Sequence, residues 1–215
     1  FESNKLFFKG QHGFRSGFSC QTAIHEFISE INRALDKKLL CLSLFVDFRK
    51  AFDLIDSSIL LLKLFHFGFD NNSLGLMTNY FQCRSQVVKM SSYISKPAKL
   101  KLGVPQGSVL GPLLFLIFIN DLPFYLSKSV IELFADDTTI TKSAESLDKA
   151  KTELEETVND LNNWCYFNKV DINWNKTFMM VFSKKNINIP AELILKGKKI
   201  KIVNEFKLLG LTIDN

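Results

Sequence analysis

Residues 130–141 of the chain read VIELFADDTTIT. Both flanks of its central Ala-Asp-Asp are apolar or β-branched and too short for helices, which predicts two strands joined by a tight turn. Asp136 and Asp137 at that turn repel each other and lose hydration, and a cation between them would relieve both costs. An ordinary Asp-rich turn is the alternative, because Asp favours turns for local reasons.

A second acidic strand end lies far upstream. Residues 39–46 form a nearly continuous apolar run, the pattern of a strand buried on both faces, and Asp47 follows it directly. Three carboxylates on two neighbouring strand ends would form a site for hard divalent cations.

The rest of the chain reads as alternating helices and strands. Helical spacing of apolar residues follows Ser19, a candidate N-cap, and recurs over 59–67, 73–82 and 147–164. Strand patterns cover 85–90 with 98–102, 178–182, and 193–195 with 200–203. No repeat or low-complexity linker divides the chain.

The composition of the chain indicates the kind of partner and the cell compartment to expect. The chain has 215 residues, 21 of them Phe, and a formal net charge of +5, which favours polyanionic partners. Its four cysteines are scattered without the spacing of a zinc site or a disulfide framework, which fits a reducing intracellular compartment. The most apolar run, 109–119, contains Gly111 and Pro112 and is shorter than the roughly 20 residues of a membrane span. It predicts a buried helix, and no membrane association.

The loop before that helix reads GVPQGS, residues 103–108. Glycines and a proline ahead of a helix start let backbone N–H groups approach a ligand closely. An ordinary turn with a cap is the simpler alternative.

Six segments together resemble the conserved blocks of reverse transcriptases. VDFRKAFD (46–53), GVPQGS (103–108) and FADD (134–137) are similar, in order and spacing, to the three palm blocks. QHGFRSG (11–17) resembles a fingers block, and NKT (175–177) and FKLLG (206–210) resemble the two blocks that follow the palm. With Phe134 as its first residue, the FADD block resembles that of the polymerases of non-LTR retrotransposons, the jockey-like long interspersed elements.

The resemblance implies an α+β fold: a right-hand polymerase palm with partial fingers, its antiparallel sheet packed on helices. Residues 1–38 and 57–102 would be partly fingers-like, and residues 39–56 and 103–215 would be palm with a primer-grip end. The basic N-terminal fingers block and the thumb are expected to be missing. The implied activity is RNA-directed DNA polymerisation, transferring a nucleotide from a dNTP to a primer 3′-hydroxyl.

The same resemblance implies catalytic and metal-binding residues. Asp47, Asp136 and Asp137 would hold two Mg²⁺ ions, or Mn²⁺, with the Phe48 carbonyl as a further ligand. Lys176 matches a lysine that protonates the pyrophosphate leaving group; a surface lysine is the alternative.

Other matched residues would contact the substrates. Phe52 would act as a bulky gate against the ribose 2′-hydroxyl, with a core phenylalanine as the alternative. Gln106 and Gly107 would line the nucleotide and template, and Arg15 would lie near both. Leu208, Leu209 and Gly210 would form the primer grip.

The expected partners are an RNA template, a DNA primer and dNTPs, within a larger polyprotein that also carries an endonuclease. The expected location is intracellular, in a ribonucleoprotein of the nucleus or cytoplasm. Phe18-Ser19-Cys20 departs from the family's usual Arg-Ser-Thr after the fingers glycine, which removes a basic residue. Two alternatives stay open: a truncated or domesticated non-catalytic nucleic-acid-binding remnant, and a maturase-like cellular reverse transcriptase.

Overall fold

A fully buried strand, β1 (Leu40–Val46), lies in the middle of the main sheet, as its apolar sequence predicts. The structure is a computed structural model that describes residues 1–126 and 128–215. β7 (Asp137–Ala144) pairs antiparallel with one edge of β1, and β8 (Phe178–Phe182) pairs antiparallel with the other. The acidic ends of the two sequence motifs therefore belong to neighbouring strands.

Three further strands, β6 (Val130–Phe134), β9 (Glu192–Leu195) and β10 (Lys198–Ile202), complete this sheet in the order β6-β7-β1-β8-β10-β9. β6 pairs with β7 as the predicted hairpin. β9 and β10 form a second hairpin, and β10 joins that hairpin to β8. β10 is parallel to β8, whereas the other pairings in the sheet are antiparallel.

Side chains alternate along β1, so that each face of the sheet packs against its own hydrophobic core. Leu40, Leu42 and Leu44 face the larger core, which α2 (Ser57–His66), α4 (Leu110–Ile119) and α6 (Leu147–Asn168) help to form. Cys41 and Phe45 face a smaller core under α1 (Cys20–Asp36) and the hairpin of β11 (Glu205–Leu208) with β12 (Leu211–Asp214). The remaining helices are α3 (Asn71–Gln82) and the short α5 (Leu122–Tyr125).

Helix starts follow local sequence signals. Ser19 caps α1 and forms a reciprocal capping box with Thr22, and Ser146 caps α6. Asp56 and Asp70 cap α2 and α3 with their carboxylates. The buried helix expected after the GVPQGS loop is α4.

The hairpin predicted from the strand patterns at 85–90 and 98–102 is present but split into two short pairs. β2 (Ser85–Gln86) pairs with β5 (Ala98–Lys99), and β3 (Lys89–Met90) pairs with β4 (Tyr93–Ile94). Within residues 1–126 and 128–215, no helix is both long enough and apolar enough to cross a bilayer. The predicted α+β fold with a sheet packed on helices is confirmed.

Candidate active site

Asp47 is held at the end of β1 by the segment that precedes β8. The Asn173 N–H donates to the Asp47 carbonyl at 2.7 Å, and the Arg49 N–H donates to the Asp171 carbonyl at 2.8 Å. The buried Thr177 hydroxyl accepts from the Asp47 N–H at 3.4 Å and donates to the Asn173 carbonyl at 3.1 Å. The backbone that carries this carboxylate is therefore fixed on both sides.

Asp136 and Asp137 occupy the β6–β7 turn. Phe134 pairs with Asp137, which leaves Ala135 and Asp136 as the two turn residues. Ala135 has φ of 56°, in the left-handed region that glycine usually occupies in hairpin turns. Val46 pairs with Thr138, so Asp47 follows β1 beside the residue that begins β7. The structure thus brings the three aspartates to one edge of the sheet.

The electrostatics of this edge show mutual repulsion. Burial raises the pKa of Asp137 to about 6, and the nearby Asp136 and Asp47 carboxylates add to the shift. Burial also raises the pKa of Asp136, with Asp47 contributing, although its own backbone N–H opposes the shift. Carboxylates that repel one another in a half-dry site favour a bound cation.

The donor chemistry fits Mg²⁺ or Mn²⁺, since all three side chains offer hard oxygen ligands. In the part of the chain that the structure describes, no group of three or more His, Cys, Asp or Glu side chains is arranged so that it could hold a metal ion. The three aspartates suit a divalent cation through their oxygen ligand atoms and their mutual repulsion. Metal binding by Asp47, Phe48, Asp136 and Asp137 stays a prediction. The β-bridge between Phe48 and Ile172 does not use the Phe48 carbonyl, because its two hydrogen bonds are accepted by the carbonyls of Asp47 and Asp171.

A small cavity of about 70 Å³ opens beside the aspartates. Asp47, Asp137, Lys176 and Leu208 all line it. Lys176 ends a short 3₁₀ helix, Trp174–Lys176, directly before Thr177. The predicted catalytic lysine therefore lies at the same site as the carboxylates, and its role stays a prediction.

The predicted primer-grip segment is the tip of the β11–β12 hairpin. Leu209 and Gly210 form its two-residue turn, with φ of 49° and 90°. Phe206 anchors the hairpin by stacking on Phe45 of β1, with ring centroids 4.1 Å apart. Leu208 reaches the aspartate cavity, so the structure brings this tip to the site.

The loop that contains Gln106 and Gly107 is tied to the segment after Asp47. The Val104 N–H donates to the Phe52 carbonyl at 3.0 Å, and Gln106 Nε2 donates to Asp53 Oδ1 at 2.8 Å. Gly107 has φ of 78° and open space where a side chain would lie. The three predicted nucleotide-contacting residues therefore share one neighbourhood.

Unlike the other predicted site residues, Arg15 is bound by residues of its own N-terminal segment. Its guanidinium binds Glu2 and the carbonyls of Phe8 and Gln11, and it stacks over Phe18 at 4.2 Å. These contacts occupy much of its donor capacity, and a contact with template or nucleotide stays a prediction. Phe18 supplies the ring under this cation.

Two buried residues of the site were not singled out from the sequence. Thr177 supports Asp47, and Gln11 contacts the Asp136 turn through its side chain. Both lie inside blocks that carry the family resemblance, which was the available signal. Their roles depend on contacts across 130 and 124 residues of sequence, which local patterns do not reveal.

Comparisons with known proteins show which family the sequence of the chain resembles. Residues 2–213 match the family model described as reverse transcriptase (RNA-dependent DNA polymerase). The chain is 31% identical over 212 residues to the probable RNA-directed DNA polymerase from transposon BS of Drosophila melanogaster, covering 95% of this chain and 23% of that protein. It is 28% identical over 213 residues to the RNA-directed DNA polymerase from mobile element jockey of the same species, covering 96% and 23%.

Solved structures extend the likeness to the fold. Apo telomerase from Candida tropicalis, truncated from its C-terminal domain, matches with a TM-score of 0.61 and 15% identity, covering 96% of this chain and 42% of that one. Telomerase from Candida albicans with a fragment of telomeric RNA matches with a TM-score of 0.57 and 15% identity, covering 95% and 34%.

The chain spans about a quarter of the length of the transposon relatives, 23% of each. The family match covers residues 2–213 of the chain, and the aspartates of the VDFRKAFD and FADD blocks lie together at adjacent strand ends. The chain belongs to the reverse transcriptase (RNA-dependent DNA polymerase) family.

Proposed function

We propose that this chain carries the polymerase active site of a non-LTR retrotransposon reverse transcriptase. The reaction is nucleotidyl transfer from a dNTP to the 3′-hydroxyl of a DNA primer on an RNA template. The observation that carries the proposal is the meeting of Asp47, Asp136 and Asp137 at adjacent strand ends, with raised pKa values for Asp136 and Asp137. The names of the transposon relatives support the element type.

Asp47, Asp136, Asp137 and the Phe48 carbonyl would hold two Mg²⁺ ions, or Mn²⁺ in their place. Such ions activate the attacking hydroxyl and stabilise the leaving phosphate charge. The protein contributes the placement of the three carboxylates on adjacent strand ends, where burial and mutual repulsion favour a bound cation.

The remaining site residues have proposed roles around this centre. Lys176 supplies a cation, and a proton for the pyrophosphate, beside the aspartate cavity. Phe52 limits space at the ribose 2′-carbon, and Gln106 and Gly107 line the nucleotide and template. Leu208, Leu209 and Gly210 support the primer end. Arg15 acts near the template by fixing its own segment, given its contacts within the protein.

We assign residues 39–56 and 103–215 to the palm, with the primer grip at its end, and residues 1–38 and 57–102 to part of the fingers. Since the relatives are much longer, we extend the proposal to a polyprotein with an endonuclease. Such a protein would work with its RNA in an intracellular ribonucleoprotein, in the nucleus or cytoplasm.

The test is primer extension on an RNA template by the protein encoded in the whole open reading frame that contains these residues. Asp136→Asn removes one charge from the site while preserving its shape, and we expect extension to fall by a factor on the order of 10³ or more. Asp160→Asn, the same substitution on α6, is the matched control and should extend primers normally. Equal extension by wild type and Asp136→Asn would contradict the proposal.

A binding assay separates the catalytic proposal from a non-catalytic remnant. Salt-dependent affinity for nucleic acid comes from Lys and Arg contacts with phosphate, so Asp136→Asn should bind primer–template at least as well as wild type. Binding without any wild-type extension would favour the remnant. A maturase-like enzyme would instead extend primers without an endonuclease in the same reading frame.

A further inference from the structure

We infer that Gln11 is a positioning residue for the β6–β7 turn that carries Asp136. The inference rests on the proposed function only in that this turn belongs to the proposed metal site. Gln11 is 1% exposed, and its side-chain oxygen Oε1 accepts from the Ala135 N–H at 2.9 Å. The same oxygen accepts from the Gly13 N–H at 2.8 Å.

The turn needs such support because of its backbone conformation. Ala135 is the first turn residue, with φ of 56°, where a Cβ is unfavourable and glycine is the usual choice. A residue persists in this region when its surroundings over-determine it. The bond from the Ala135 N–H to Gln11 stabilises that conformation directly, one residue before Asp136.

Close backbone approach brings Gln11 to the turn. The His12 N–H donates to the Leu133 carbonyl at 2.7 Å, and the Leu133 N–H donates to the Gly10 carbonyl at 2.8 Å, so residues 10–12 extend the sheet beside β6. A Cβ on Gly13 would lie 2.4 Å from the Ala135 nitrogen. Only glycine at position 13 permits this approach without a backbone shift.

The backbone of Gln11 is itself held in place. Arg15 Nη1 donates to the Gln11 carbonyl at 2.9 Å and to the Phe8 carbonyl at 3.0 Å. Asn120, at the end of α4, accepts from the Phe8 N–H and donates to the Leu6 carbonyl, each at 2.8 Å. Arg15 therefore supports the turn through Gln11.

The other end of the Gln11 amide argues for a role beyond packing. Within the described residues, its Nε2 is buried without a hydrogen-bond partner. The two N–H donors that face Oε1 fix the orientation of the amide, since a flipped group would oppose donor to donor. A buried unpaired donor costs stability, so packing alone would favour an isosteric apolar side chain over glutamine.

The direct test is amide hydrogen exchange at Ala135, followed by NMR in the 215-residue chain. Gln11→Met keeps the side-chain volume and removes the acceptor, and we expect Ala135 exchange to accelerate on the order of tenfold relative to the β1 amides. Gln11→Glu keeps an acceptor oxygen and should restore most of the protection. Thr157→Val is the control, since the buried Thr157 hydroxyl bonds to the Glu153 carbonyl and to Ser129 Oγ and not to the turn or its supporting segment.

Unchanged Ala135 exchange in Gln11→Met would overturn the inference. So would an equal acceleration in Thr157→Val, because the effect would then be one of general stability. A Mn²⁺ titration followed by proton relaxation adds a second readout, and its midpoint should rise about three- to tenfold in Gln11→Met but not in Thr157→Val. Absence of Mn²⁺ binding in wild type would count against the proposed function, and the exchange result would still decide the role of Gln11.

Discussion

The ring of Phe52 stacks on the ring of Phe115, with centroids 4.2 Å apart and an interplanar angle of 17°. Phe115 belongs to the buried helix α4, which begins after the loop containing Gln106. The carbonyl of Phe52 also accepts from Val104 in that loop. Phe52 is therefore rigid on one face and joined to the loop proposed to line the nucleotide, which suits a steric gate.

Phe52→Val should relax selection against ribonucleotides. Removing the ring opens space where a 2′-hydroxyl would clash, and the ratio of dNTP to rNTP incorporation should fall by roughly 10- to 100-fold. The measurement is single-nucleotide primer extension with each nucleotide type. Phe69→Val is the matched control, because Phe69 is also half-buried against the core but packs near Phe1. An unchanged ratio for Phe52→Val would make Phe52 a core residue only.

Thr177→Val should impair catalysis more than its effect on stability explains. The substitution keeps the side-chain shape but removes the hydroxyl that accepts from the Asp47 N–H. We expect a loss of about 1–2 kcal/mol in unfolding free energy and about a tenfold slower extension. Urea unfolding and primer extension measure the two effects.

Thr157→Val is the control for this prediction. Thr157 is also buried and also donates its hydroxyl proton to a backbone carbonyl, that of Glu153, at 3.1 Å, but it lies on α6 away from the aspartates. It should lose similar stability and extend primers at the wild-type rate. Equal extension by the two variants would show that Thr177 does not position Asp47.

Glu132→Gln should stabilise the protein increasingly as pH rises. Burial raises the pKa of Glu132 to about 8, with Glu26 and Glu30 of α1 adding to the shift. The folded state therefore binds a proton that the unfolded state releases above about pH 4.5, and wild-type stability falls as pH rises through this window. The neutral variant lacks that loss.

Thermal unfolding between pH 5 and pH 9 checks this sign. The variant should exceed wild type by on the order of 2–4 kcal/mol above pH 8, with a much smaller difference near pH 5. Glu205→Gln changes an exposed glutamate on β11 and should give a nearly constant difference from wild type. A Glu132→Gln advantage that shrinks with increasing pH would contradict the assigned cause.

Much of the sheet could be predicted because its signals are local. The apolar run at 40–46 and the paired flanks of FADD each encode a strand without reference to distant residues. That Asp47 lies beside Asp137 is a question of pairing order, and the family resemblance supplied that order. The cap at Ser19 was equally predictable, since its side chain bonds to an amide three residues ahead.

The support around the aspartates could not be predicted in the same way. Residues 10–13 contain two glycines, a composition typical of a loop, and only the fold reveals that this segment pairs with β6. The bond from Asn173 to the Asp47 carbonyl likewise joins residues far apart in sequence. Such contacts depend on tertiary approach and leave no periodic signal.

Gly210→Ala should distort the tip of the β11–β12 hairpin and slow extension. Gly210 has φ of 90°, so a Cβ would strain the turn by about 1–2 kcal/mol and displace Leu208 and Leu209 beside the aspartate cavity. We expect about a tenfold slower extension with little change in nucleic-acid affinity, measured by primer extension and by fluorescence anisotropy. Gly75→Ala is the opposite control, because Gly75 lies within α3 with open space around it. That variant should gain about 0.5–1 kcal/mol and extend normally. Normal extension by Gly210→Ala, despite its loss of stability, would separate this turn from the primer site.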